Sequence, residues 1–156
     1  MLYYHRDMTN ADQIYLGIDY GERRMGISFS DASATLAGEC KTLNVKSARE
    51  AASLIAAEID SRNLMGIVVG YPLAPDGGSK GERCRMVDHF IGKLNELTEL
   101  NIYRQDERDS TDEAREALKR SGKRITSKTR REGKIDSIAA VFILQRWLDE
   151  SGIPRR

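Results

Sequence analysis
Tyr15-Leu16-Gly17-Ile18-Asp19-Tyr20-Gly21-Glu22-Arg23-Arg24-Met25-Gly26-Ile27-Ser28 decides the fold of this chain. An apolar run ends in one carboxylate, a glycine turn with two arginines follows, and a second apolar run opens at Met25. Two strands joined through a turn is the plain reading. Asp19 is the anomaly, because aspartate is depleted from strand interiors and an unpaired buried charge costs several kcal/mol or shifts its pKa. A metal ion, or an arginine such as Arg23 or Arg24, would remove that penalty. An aspartate that merely starts the turn is the competing reading.

Working outward, Ser28 to Leu43 predicts the end of the second strand, a turn at Asp31-Ala32-Ser33 and a third strand from Thr35. Ser47-Ala48-Arg49-Glu50 forms a capping box that opens a helix to about Arg62. Met65-Gly66-Ile67-Val68-Val69-Gly70 is a continuous apolar run, as in a strand buried on both faces, and Tyr71-Pro72 ends it. A glycine-containing loop to Gly81 precedes a helix to about Leu97; its open N–H groups and Lys80 suit a phosphate, without matching a nucleotide-binding motif. Asn101 to Gln105 predicts a further strand, ending in Asp106-Glu107-Arg108. A second capping box, Ser110-Thr111-Asp112-Glu113, starts a helix to about Arg120, and the last helix runs from Ile135 to about Glu150. Early hairpins followed by helical crossovers predict an α/β fold, one mixed five-stranded sheet with helices on both faces.

The chain has 156 residues, 40% hydrophobic and 31% charged, as expected of one soluble domain. Residues 14–150 form that domain; residues 1–13, polar and without the apolar middle of a signal peptide, read as a flexible tail, and 151–156 as a short basic one. No apolar stretch approaches the ~20 residues that cross a bilayer, so no membrane partner is expected. Two cysteines, Cys40 and Cys84, without C-x-x-C spacing argue against a zinc site or a disulfide framework and suit a reducing cytoplasm. With only His5 and His89 as histidines, catalysis has to lean on carboxylates. Net charge is +1, yet Lys119 to Lys134 holds eight basic residues and one acid. That segment suits a polyanion, unless it is only a solvated loop.

Three positions then matter together. Asp19 ends the first strand, Asp106 and Glu107 end the last, and Asp136 sits in the first turn of the last helix. If first and last strands are parallel, these acids share the edge where sites form. Crowded carboxylates repel unless a cation holds them, and an oxygen-only set favours Mg²⁺ or Mn²⁺. Two such ions would activate water and stabilise the leaving oxygen in phosphodiester cleavage.

The motifs around these acids resemble one family. Gly17-Ile18-Asp19-Tyr20-Gly21 with Arg24-Met25-Gly26-Ile27-Ser28 looks like the opening motif of the YqgF/RuvX family of RNase H-like nucleases. Val68-Val69-Gly70-Tyr71-Pro72-Leu73 with Asp76-Gly77 resembles its second motif, and Asp106-Glu107-Arg108 with Ser110-Thr111 its third. Asp136 with Ala139-Ala140 and Ile143-Leu144-Gln145 matches its last. The resemblance implies an RNase H-like fold and a nuclease that uses Mg²⁺ or Mn²⁺, with Asp19, the Asp106/Glu107 pair and Asp136 as its acids. Glu107 is favoured over Asp106 as metal ligand for its reach, beside Asp19 and Asp136. The family's described roles, pre-16S ribosomal RNA processing or Holliday junction resolution, make RNA or branched DNA the expected partner. Arg23, Arg24, Lys80, Arg108, Arg124, Lys128, Arg130, Arg131 and Lys134 are the candidate nucleic-acid contacts. Two other classes compete. An actin- or Hsp70-like ATPase needs a second G-x-D-x-G motif and a much longer chain, and a non-catalytic nucleic-acid-binding module would tolerate loss of Asp19. Monomer and homodimer are both open.

Overall fold
The computed structural model describes residues 12–73, 81–122 and 133–153. The elements, in chain order, are β1 (Ile14–Asp19), β2 (Arg24–Ser30), β3 (Ala37–Asn44), α1 (Ala48–Ser61), β4 (Leu64–Tyr71), α2 (Glu82–Asn95), β5 (Ile102–Asp106), α3 (Ser110–Arg120) and α4 (Lys134–Glu150). The five strands form one sheet in the order β3-β2-β1-β4-β5. The two hairpin pairings are antiparallel, whereas β1 pairs with β4, and β4 with β5, in parallel. β1, β4 and β5 therefore point their carboxyl ends to the same edge, which is the condition the site required.

Alternation along the strands sorts the core into two layers. Leu16, Ile18, Ile67 and Val69 face α1 and α2, packing with Ile55, Phe90 and Leu94. Tyr15 and Val68 face α4, packing with Ile143, Leu144 and Leu148. β4 is thus buried on both faces, as its unbroken apolar run implies. The edge strand β3 carries Glu39, Cys40 and Lys41 exposed, a polar edge that discourages pairing with another chain.

Two local expectations need correction. β3 begins at Ala37 and not at Thr35, because Asp31 Oδ1 accepts from the N–H groups of both Thr35 (2.8 Å) and Leu36 (3.2 Å) and prolongs the turn. The second capping box is not formed either. Asp109, in the left-handed region at φ 67°, precedes α3 and makes no side-chain cap, while Ser110 is already helical. Ser110 is buried and its hydroxyl donates to Glu107 O at 2.7 Å, so the residue anchors the β5–α3 connection instead. The first capping serine does its predicted work: Ser47 Oγ accepts from Glu50 N at 3.1 Å.

Candidate active site
Asp19 closes β1, and its partner across the hairpin is Gly26. The missing side chain at Gly26 admits the first turn of α4: a Cβ built there would stand 1.9 Å from Asp136 O. The same helix lies on Gly17, where a Cβ would meet Leu144 Cβ at 2.6 Å, and Ser28 Oγ donates to Ala140 O at 2.9 Å. Small residues in neighbouring strands therefore let α4 bring Asp136 over the end of the sheet. On the far side Glu107 N donates to Tyr71 O at 3.1 Å, continuing the β4–β5 ladder by one residue. The Glu107 side chain folds over Gly70, with Oε2 2.9 Å from where a Cβ would be.

These acids meet around arginines. Arg83, in the first turn of α2, donates from Nε to Glu107 Oε1 at 3.1 Å, and its Nη2 lies 3.7 Å from Asp19 Oδ1. The same Nη2 donates to Tyr20 O at 3.3 Å. Arg24 Nε stands 3.4 Å from Asp136 Oδ2. The side chains of Asp19 and Glu107 are each 12% exposed, and that of Asp136 29%. Burial, reinforced by the Glu107 charge and eased by Arg83, pushes the Asp19 carboxyl up to about 8. Burial also raises Asp136, against the pull of Arg24 and Arg83. Arg83 itself loses hydration, but Glu107 and Asp19 hold its guanidinium above the ordinary arginine value. The Asp19 carboxylate beside the Glu107 charge is therefore disfavoured unless a cation offsets it, and Arg83 is the cation in reach of both.

Asp106 and Glu107 point in different directions. Asp106 turns away and is held by Arg108, through Arg108 N at 2.9 Å and Nε at 2.6 Å. Arg146, a residue that sequence reasoning passed over, ties this corner from α4 by donating to Asp106 O at 3.1 Å, Arg108 O at 3.0 Å and Glu113 Oε1 at 2.9 Å. Arg83 was passed over too; no spacing or motif in the sequence marks it. Of the candidate basic contacts, Arg24 is engaged with Asp136, Arg108 with Asp106, and Lys134 opens α4 on the surface. Arg23 is exposed and lines a cleft of about 580 Å³ with Tyr20, Lys46, Ser47 and His89. Lys80, Arg124, Lys128, Arg130 and Arg131 lie outside the described residues.

Among the described residues no three acids, histidines or cysteines are gathered as a ready ligand set for a metal. The donor chemistry nevertheless suits a hard divalent cation: oxygen-only ligands, two carboxylates bridged by one guanidinium, and a third nearby. One consequence is measurable without any ion. Since the folded Asp19 carboxyl titrates near 8 and the unfolded one near the ordinary aspartate value of 3.8, the native state binds the extra proton between these values. Stability in metal-free buffer therefore falls as pH rises through that window and levels off beyond about 8. Denaturant unfolding between pH 5.5 and 9.5 should show this decline in the wild type and a flatter profile in Asp19→Asn; parallel profiles would mean that Asp19 is not the titrating group.

The family model described as "RuvX: Holliday junction resolvase" matches residues 13–150. A relative from Syntrophus aciditrophicus, named "Putative pre-16S rRNA nuclease", is 37% identical over 134 residues, covering 86% of this chain and 87% of its own. One of the same name from Ruegeria pomeroyi is 38% identical over 133 residues, 85% and 84% of the two chains. Among solved structures, T. thermophilus RuvC in complex with a Holliday junction substrate superposes with a TM-score of 0.53 at 13% identity, over 92% of this chain and 98% of that one. Fowlpox virus resolvase in a junction complex gives 0.54 at 14% identity, over 91% and 100%. At such identities these two structures speak for the fold alone, and the fold is the RNase H-like one. Motifs, sheet order and relatives agree: the chain belongs to the RuvX (YqgF) family.

Proposed function
We propose that this chain is a divalent-metal-dependent nuclease that hydrolyses phosphodiester bonds in the 5′-end maturation of pre-16S rRNA, in the cytoplasm. The observation that carries the chemistry is the convergence of Asp19, Glu107 and Asp136, from three separate elements, at the carboxyl edge of the parallel strands. The choice of substrate follows the names of the relatives. Asp19, Glu107 and Asp136 would hold the ion. Bound there, Mg²⁺ or Mn²⁺ would supply water activation and stabilisation of the departing oxygen. The chain's own part is to hold the carboxylates side by side, where the charge of the ion would favour their deprotonated forms, and to hold the backbone of the nucleic acid. Arg23 and Lys46, on the cleft beside Tyr20, are placed to meet phosphates, and the basic residues 123–131 add charge. No helix among the described residues is long and apolar enough to cross a membrane.

The family description favours a second substrate, four-way DNA, which the same acids would cut. A cleavage assay separates the two. Pre-16S RNA fragments and a four-way DNA junction are incubated with wild type and Asp19→Asn, in Mg²⁺, Mn²⁺ or EDTA. The expected result is metal-dependent cutting of the RNA, lost in EDTA and reduced roughly 10³-fold by the substitution. Cutting of the junction alone would transfer the assignment to resolution. Binding without cutting of either substrate by both proteins would leave a nucleic-acid-binding module.

A further inference from the structure
We propose that Arg83 is a built-in cation that occupies the Asp19–Glu107 carboxylates until a divalent ion displaces it, so that metal binding swings this guanidinium out toward solvent. The inference rests on the metal site proposed above and adds a residue that no motif marks.

Its first support is position. Arg83 reaches two carboxylates that come from different strands, 3.1 Å from Glu107 Oε1 and 3.7 Å from Asp19 Oδ1. An ion held by those two carboxylates would take over the charge compensation that the guanidinium now supplies. A dication and a guanidinium held within a few ångströms repel strongly where water is scarce, so the two occupancies exclude one another. The planar fork of arginine spans the pair as a single lysine ammonium would not.

Freedom to move is the second support. The Arg83 side chain is 47% exposed, whereas both carboxylates it bridges are 12% exposed. It sits in the first turn of α2, and beyond its two ion pairs and the attraction of Asp136 it donates one 3.3 Å hydrogen bond, to Tyr20 O. Swinging the side chain outward therefore requires no change in α2 or the sheet. The third support is the lack, among the described residues, of a ready three-ligand set: the acids stand paired with arginines instead, Asp136 with Arg24 in the same manner. In the absence of metal the carboxylates are thereby kept together rather than driven apart. The cost is a weaker affinity for the metal.

The test is calorimetric Mn²⁺ binding at fixed pH and ionic strength to wild type, Arg83→Gln, Arg83→Lys and Asp19→Asn. Arg83→Gln should bind Mn²⁺ about tenfold more tightly than wild type, equal to ~1.4 kcal/mol, with Arg83→Lys in between and Asp19→Asn losing the binding. In wild type alone, the Arg83 Nε–H resonance, identified by its absence in Arg83→Gln, should shift toward a solvent-exposed arginine as Mg²⁺ is added. Arg83→Lys, which also lacks that Nε–H, supplies the identification if Arg83→Gln folds poorly. Asp19-dependent binding that is no tighter in Arg83→Gln, or an Nε–H resonance unmoved at saturating Mg²⁺, would overturn the role of Arg83 while leaving the metal site. No Mn²⁺ binding by wild type or Arg83→Gln would overturn both.

Discussion

Replacing Glu107 by glutamine is expected to lower metal-dependent cleavage roughly 10³-fold, whereas Asp106→Asn leaves it within a few-fold of wild type. The two residues are adjacent and chemically alike, so the difference tests geometry alone. Glu107 continues the ladder beside Tyr71 and folds over Gly70 toward Asp19, with Arg83 between them. Glutamine keeps the size and one acceptor but removes the charge that a hard cation requires, and leaves Arg83 with a poorer partner. Asp106 faces the other way and serves Arg108, accepting from its backbone N–H and its guanidinium. An asparagine retains the backbone interaction and loses the charge-assisted one, a cost of about 1 kcal/mol at this partly exposed place. Cleavage rates with Mn²⁺ calorimetry on both variants check the assignment. Loss of activity in Asp106→Asn with activity kept in Glu107→Gln would reverse it.

The sequence carried the sheet and the acids further than it carried their neutralisation. β1, β4 and their parallel pairing were legible because apolar runs with a terminal Asp or Pro mark strands buried on both faces. Asp19 was legible because a carboxylate at the end of such a run contradicts its surroundings. The choice between Asp106 and Glu107 was not, since strand alternation says only that neighbours diverge. The hydrogen bond from Glu107 N to Tyr71 O and the space over Gly70 show which of the two side chains lies on the side of Asp19. Arg83 was illegible for a different reason. Its partners lie 64 residues before it and 24 after it, and its own neighbourhood in the chain is an ordinary amphipathic helix start. The second capping box failed because its serine is already the first residue of α3 and buried, with its hydroxyl bonded back to Glu107 O and not to the helix N–H groups. The sequence does mark Gly17 and Gly26 as motif residues. What they are for becomes plain only with α4 lying on them.

Gly26→Ala is expected to be the most destabilising single-methyl change in the described chain. A methyl at Gly21 would meet the Arg24 carbonyl oxygen at 2.6 Å and one at Gly17 the Leu144 Cβ at 2.6 Å, but the approach at Gly26 is closer than either. At Gly26 the methyl meets backbone: Asp136 O at 1.9 Å, Asp136 C at 2.2 Å and Ser137 N at 2.7 Å. Neither partner can give way locally, because β2 is hydrogen-bonded on both sides and α4 is buried along Ala139, Ala140, Ile143 and Leu144. The helix has to lift, which separates Leu144 from Gly17 and breaks the 2.9 Å bond from Ser28 Oγ to Ala140 O. Overpacking of this kind costs about 3 kcal/mol or more, a fall in Tm of roughly 6–12 °C for a chain of this size. Gly92→Ala is the matched control, since a Cβ there meets nothing within 4 Å in the exposed face of α2. It should stabilise by about 0.5–1 kcal/mol through helix propensity. Because the same contact sets Asp136 over Asp19, Gly26→Ala should weaken Mn²⁺ binding even at temperatures where the protein is fully folded. A variant that loses stability yet binds the ion as wild type does would show that Asp136 is not held to its place by this glycine.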